Sequence, residues 1–282
     1  MTPGLDFALG AMVCFGIGDL VYKRAAAAGI AAGEFLMAQA WIFCPGVTLY
    51  AWLTGTLHPN AAALWGALAG LLLFVALFNF ASSLRGGAVS TNAPIFRLNF
   101  TITAALAIVL LGETLTVAKA VALAFALVAV WLLLTEAGAA HGKATLSSFA
   151  RVAIATVAMA FVNLFYKIGL QHGALPETMV ATQAWMFSSL ATVFGVLRER
   201  RVPQMPGVWR YAALAALALF GAFVLLMHGL VFGPASVLVP VAQMSFVITA
   251  LFGAAMFRER LDMRKRAGLA VAAVALVLFA VG

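Results

Sequence analysis

The sequence predicts an all-α polytopic membrane protein, with ten transmembrane helices arranged as two inverted five-helix repeats. Three observations carry that prediction. Hydrophobic residues make up 65% of the 282 and charged residues only 9%, against roughly 45–50% and about 25% in a soluble domain. Apolar runs of spanning length recur between short polar breaks. The chain also repeats itself: LVYKRAAAAGIAAGEFLMAQAWIF from Leu20 lies over LFYKIGLQHGALPETMVATQAWMF from Leu164 without a gap, sharing Tyr-Lys and Gln-Ala-Trp.

A spanning helix takes about 20 mostly apolar residues. Punctuation by Gly, Pro and charge gives candidates near 5–25, 34–54, 61–83, 88–111 and 116–135. The loop TGTLHPN (54–60) separates the second from the third, and 112–119 the fourth from the fifth. The polar break EAGAAHGKATLSS (136–148) closes the first set. The second set runs near 149–170, 177–197, 208–231, 234–257 and 263–281, with Arg258–Arg266 parting the last two. Ala, Leu and Val dominate without period-2 alternation, so no strand pattern competes. The N-terminus lacks a basic stretch, Asp6 being its only charge, and the first run reads as a retained helix. Cys14 and Cys44 fall inside apolar segments and read as core.

The repeat extends well beyond the opening match. Tyr22-Lys23 and Tyr166-Lys167, Trp41 and Trp185, Pro59 and Pro203, and Trp65 and Trp209 all stand 144 residues apart. After a shift of two, the offset of 146 joins Pro94 to Pro240, Phe100 to Phe246, Thr103 to Thr249, Glu113 to Glu259, Leu115 to Leu261 and Lys119 to Lys265. Residues 1–135 and 149–282 are therefore expected to be one unit duplicated, with 136–148 as linker. Five is odd, so the second copy enters the membrane from the opposite side. Inverted copies characterise secondary transporters, in which one half rocks against the other around a site near the midplane.

The net charge of +8 sits in clusters such as RERR (198–201) and RERLDMRKR (258–266) between apolar runs. That is the pattern of cytoplasmic loops rather than of a nucleic-acid surface. Loop 54–60 has no Lys or Arg, whereas its counterpart 198–210 has Arg198, Arg200, Arg201 and Arg210. Lys23, Arg24, Arg85, Lys143 and Arg151 join the basic side, which puts both termini outside.

Pro94 followed by Glu113-Thr-Leu115, and Pro240 followed by Glu259-Arg-Leu261, each precede a Lys and a further apolar helix. With the five-helix duplication, this resembles the EamA family, the ten-helix branch of the drug/metabolite transporter superfamily, over essentially the whole chain. The resemblance implies movement of small metabolites, often export of amino acids. Other members carry nucleotide sugars, sugar phosphates or drugs. Where bacterial members often carry an Arg early in helix 2, this chain has Gln39 and Gln183, and members are drawn with cytoplasmic termini, opposite to the charge count.

Arg97 lies about ten residues into the fourth helix, roughly 15 Å deep, where an unpartnered Arg costs roughly 2.5–3.5 kcal/mol on insertion scales. One reading is a site for a substrate carboxylate or phosphate, which the guanidinium fork fits; the other is a permanent ion pair. Helix 4 adds Ser90, Asn99 and Thr103, and helix 9 matches them with Ser236, Ser245 and Thr249, with Gln243 at the position of Arg97. Shared polarity suggests that both helices line one space. Pro94 and Pro240 each remove an intrahelical hydrogen bond, which a wet cavity or a simple kink accommodates.

Asp19 is the only acid well inside a helix, and its counterpart is Asn163. Each sits three residues before a tyrosine, Tyr22 or Tyr166, and so shares its face. Desolvation disfavours a charged carboxylate, which makes Asp19 the coupling candidate for a proton; a fixed Asp19–Arg97 pair is the competing reading. Gln39 and Gln183 are expected to face the centre in preference to Trp41 and Trp185. Lys23 and Lys167 are read as structural partners of Glu34 and Glu177, and Gly66 and Gly70 as a close-packing stripe.

No G-x-x-x-x-G-K-[ST], H-E-x-x-H or G-x-S-x-G occurs, and no His, Asp or Ser cluster at one depth suggests an intramembrane enzyme. No cofactor or metal is expected. The leading reading is a carrier for an amino acid or related carboxylate in a bacterial cytoplasmic (inner) membrane, acting as monomer or weak homodimer. Its expected partners are the small-molecule substrate, the lipid bilayer and a coupling proton. A channel or scaffold is the alternative.

Overall fold

The computed structural model describes residues 2–83, 89–134, 146–199, 207–257 and 262–281. Twelve helices are numbered in chain order: α1 (Leu5–Ala27), α2 (Ala32–Leu53), α3 (Leu64–Ser83, after a 3-10 turn), α4 (Val89–Arg97), α5 (Asn99–Leu111) and α6 (Val117–Leu134). The second half supplies α7 (Leu146–Gln171), α8 (Pro176–Phe194), α9 (Val208–Phe232), α10 (Ala235–Gln243), α11 (Ser245–Phe257) and α12 (Met263–Val281). No strand occurs among the described residues. In lipid every backbone polar group needs a partner, and a helix supplies it within the segment. Eight segments are long and apolar enough to cross a membrane, and Val117–Leu133 is an apolar helix of shorter length. Residues such as Leu53, Val109, Val117 and Leu217 present large apolar side chains outward, as lipid-facing positions do.

The two proline-bearing segments are broken rather than bent. Leu98 separates α4 from α5 and Met244 separates α10 from α11, each four residues beyond its proline. Arg97 and Gln243 are therefore the last residues of half-helices, and Asn99 and Ser245 the first residues of the next ones. Thr156 Oγ1 donates to the Ile95 carbonyl at 3.2 Å beside the first break.

The halves interlock. α1 runs antiparallel to α9, with Gly4 against Gly229, Gly10 against Leu225 and Gly18 against Leu219. α7 packs on α3 in the same manner, with Gly169 against Trp65. Each half thus lays its first helix on the other half's third. On α3, a Cβ at Gly66 would fall 2.2 Å from Thr182 Oγ1 and one at Gly70 2.4 Å from the Gln183 carbonyl, so only glycine admits α8 at this distance.

α2 and α8 meet through two reciprocal hydrogen bonds. Trp41 Nε1 donates to Thr192 Oγ1 at 2.8 Å, and Trp185 Nε1 donates to Thr48 Oγ1, also at 2.8 Å. As α2 advances from 41 to 48, its partners retreat from 192 to 185, so the equivalent helices run antiparallel.

One end of the bundle is tightly bound. Glu113 accepts the backbone N–H of Ala235 at 2.7 Å and of Ser236 at 2.8 Å, capping the start of α10 from the other half. A carboxylate at a helix N-terminus meets unpaired donors and the positive end of the dipole. Lys167 Nζ donates to the carbonyls of Leu230 at 2.6 Å and Gly233 at 2.8 Å, closing the end of α9. The expected Lys167–Glu177 pair is thus replaced: Glu177 faces His228 Nε2 at 3.3 Å, because the lysine stem reaches orphan carbonyls first. Thr2 donates to the Phe279 carbonyl at 2.9 Å, placing both chain ends here.

Candidate functional site

A cavity of about 390 Å³ occupies the bundle centre, lined by residues of both halves. Its lining includes Ala25, Ala26 and Ile30, where α1 ends, but on the α7 side it reaches only Met159. Farther along α7, Tyr166 and Lys167 are buried. The cavity therefore extends from the middle toward the end where α1 finishes and α2 begins.

Its polar side chains sit beside the two helix breaks. Arg97 Nη2 donates to Asp19 Oδ2 at 3.1 Å, and Nη1 donates to Gln243 Oε1 at 3.1 Å. Asp19 Oδ2 also accepts from Ser245 Oγ at 3.1 Å and Thr249 Oγ1 at 3.4 Å. The three bonds to Asp19 all fall on Oδ2, and Oδ1 has no hydrogen-bond partner among the described residues. The Asp19 side chain is 37% exposed and that of Arg97 19%. The pair is thus formed within the protein and still open to the cavity.

Gln39 and Gln183 line the same space. Each accepts from the tyrosine seventeen residues before it: Tyr22 Oη donates to Gln39 Oε1, and Tyr166 Oη to Gln183 Oε1 at 2.6 Å. The clasp is duplicated, but Tyr22 faces the cavity whereas Tyr166 is fully buried. Trp41 and Trp185 turn outward to their threonines. Rings of Phe15, Phe35, Phe43, Phe80, Phe96 and Phe223 line the remaining wall together with alanine and leucine side chains.

Asn99 and Asn163 lie elsewhere. Both are fully buried, with Asn163 Nδ2 3.5 Å from Asn99 Oδ1 and 3.4 Å from Thr103 Oγ1. This cluster repeats the other half's arrangement, since Asn163, Asn99 and Thr103 are the counterparts of Asp19, Ser245 and Thr249. One copy is charged and wet; the other is neutral and packed. The side chain of Ser90 and residues Glu259 and Leu261 lie outside the described residues.

Sequence reasoning missed the Glu113 cap and the Glu177–His228 contact. The repeated Glu-x-Leu marked Glu113, but nothing local to it said that its partner would be a helix of the other half. Chemically, the cavity offers one cation, one anion with a free oxygen, amide groups and a broad apolar wall. No group of three or more His, Cys, Asp or Glu that would hold a metal ion occurs among the described residues.

The model of the EamA-like transporter family matches residues 2–135 and again 148–281. Among curated proteins none matches by sequence. A solved structure, described only as "Crystal structure of protein", superposes with a TM-score of 0.83 over 98% of this chain and 95% of its own, at 16% identity. At that identity the likeness is one of fold.

Proposed function

The chain belongs to the EamA-like transporter family, and we propose that it is a secondary carrier moving a small amphipathic metabolite by alternating access. The observation that carries this reading is the Asp19–Arg97 pair, joined at 3.1 Å inside a cavity that both halves line. A sealed structural pair would need no such space.

The finer architecture is part of the proposal. Ten spans result when α6 and α12 are added to the eight long apolar segments, with α4–α5 and α10–α11 each counted as one. The reciprocal Trp41–Thr192 and Trp185–Thr48 bonds support an inverted relation between the halves. A two-fold axis along the membrane normal would leave equivalent helices parallel; antiparallel equivalents call for an axis in the membrane plane. Residues 1–135 and 149–282 are then the two repeats. The open end carries Lys23, Arg24 and Arg151, so by charge it faces the cytoplasm.

The cargo we assign is an amino acid or related carboxylate, exported across a bacterial inner membrane. Its carboxylate takes Arg97, its hydrogen-bonding groups meet Gln243, Gln39, Gln183 and the Tyr22 hydroxyl, and its apolar part meets the phenylalanine wall. The cargo's carboxylate displaces Asp19 from the guanidinium, and return of Asp19 to Arg97 restores the internal pair and ejects the cargo. Tyr166, Asn163 and Asn99 form the buried counterpart that supports the mirror conformation. One chain holds both repeats, so a monomer suffices.

A thermal-shift screen of purified protein against amino acids, nucleotide sugars, sugar phosphates and cationic drugs tests this. A ligand of the folded state adds about 2.7 kcal/mol at a hundred times its Kd. A shift by one amino acid that Arg97→Ala abolishes is the expected result; a shift that survives in Arg97→Ala removes Arg97 from the site.

A further inference from the structure

A second cavity, of about 520 Å³, adjoins the first, and Leu36, Leu77, Ala81 and Phe187 line both. Phe74, Phe78, Phe187 and Phe194 form much of its wall. Ring centroids stand 4.7 Å apart for Phe78 and Phe194, 5.9 Å for Phe74 and Phe194, and 6.2 Å for Phe74 and Phe187. Glu34, in the first turn of α2, is the one charged side chain among its described lining residues.

One oxygen of the Glu34 carboxylate is unsatisfied. Its Oε2 is buried with no hydrogen-bond partner, and Glu34 makes no ion pair among the described residues. The acid that opens α8, Glu177, behaves differently and holds His228 Nε2 at 3.3 Å. The expected Lys23–Glu34 pair is not formed. A buried carboxylate oxygen without a partner is costly, and an ammonium group would supply both the charge and the donor that it lacks. The phenylalanine rings of the same cavity add cation–π attraction wherever the ammonium comes within about 6 Å of a ring face. A hard metal ion would want six or more oxygens, and these walls of phenylalanine, leucine and alanine do not provide them.

We infer that this cavity is an access site for the ammonium end of an amphipathic amine, held by Glu34 before the molecule moves past Phe187 to the central pair. Passage onward to the central pair rests on the carrier reading; the binding itself does not.

The test is isothermal titration of the purified full chain with 2-phenylethylammonium, alongside its near-isosteres 2-phenylethanol and 3-phenylpropionate. The wild type should bind the amine at least tenfold tighter than either, Glu34→Gln should erase that preference, and Asp19→Asn should keep it. Equal binding of the three probes by the wild type overturns the inference without any variant, which covers a Glu34→Gln protein that does not fold. An amine preference that survives Glu34→Gln, or that disappears in Asp19→Asn, also overturns it, the latter by assigning the amine to the central cavity. Loss of transport with amine binding intact would count against the carrier and leave this site standing.

Discussion

Arg97 touches its own repeat counterpart: its Nη1 donates to Gln243 Oε1 at 3.1 Å across the middle of the bundle. Equivalent residues of two copies meet only near the axis that relates them, so the cavity's charged centre lies close to the axis relating the two repeats. The sequence breaks the symmetry at this spot. Arg97 opposes Gln243 and Asp19 opposes Asn163, so both charges belong to the first half.

Removing one member of the Asp19–Arg97 pair leaves the other charge without its partner. Asp19→Asn and Arg97→Gln should each lower the melting temperature, while the double variant should lose less than the sum. A coupling of about 1 kcal/mol is expected in a double-mutant cycle, since the pair is partly wet. Strict additivity of the two losses would mean that the pair contributes nothing to folding.

The duplicated tyrosine–glutamine clasps should differ in energetic weight. Tyr166→Phe leaves a buried Gln183 oxygen unpaired, at about 1–3 kcal/mol. Tyr22→Phe lets water reach Gln39 through the cavity and should cost clearly less. Comparing the two variants by chemical denaturation checks this, and equal losses would contradict the placement of Tyr22 on the cavity wall.

Gly70→Leu should destabilise strongly, because even a Cβ would lie 2.4 Å from the Gln183 carbonyl; overpacking costs about 1–3 kcal/mol or more. Gly46 on α2 has nothing within 4 Å of a built Cβ, so Gly46→Leu is the control. A melting temperature unchanged in Gly70→Leu would refute the close approach of α3 and α8.

Glu113→Gln keeps one acceptor for the N–H pair at Ala235 and Ser236 and loses the other, together with the charge. About 1–2 kcal/mol should be lost. Glu113→Ala should lose more, as both donors are left bare. Hydrogen exchange at Ala235 and Ser236, faster in either variant, is the local readout; unaltered exchange would show that Glu113 does not hold them.

Much of this was legible in the chain. The offsets of 144 and 146 paired Arg97 with Gln243, Tyr22 with Tyr166 and Gln39 with Gln183, and the prolines marked the two segments that break, with a simple kink as the competing reading. Both readings of Arg97 kept a place, since it forms an internal pair that still lines a cavity. What the sequence did not reveal was side-chain direction. Helices apolar on every side give no stripe to orient them, so Asn99 and Asn163 looked as well placed for the centre as Gln39, yet they are packed against each other. Long-range partners were equally hidden: Glu113 reaches α10, and Lys167 passes Glu177 for carbonyls of α9, contacts set by tertiary packing rather than by spacing.

The most direct test of the carrier reading is counterflow in proteoliposomes preloaded with the amino acid that gives the largest thermal shift. The account predicts saturable uptake of the labelled compound with a transient overshoot, lost in Arg97→Ala and Asp19→Asn. Uptake that rises linearly with concentration, shows no overshoot and is indifferent to both substitutions would describe a channel and contradict the account.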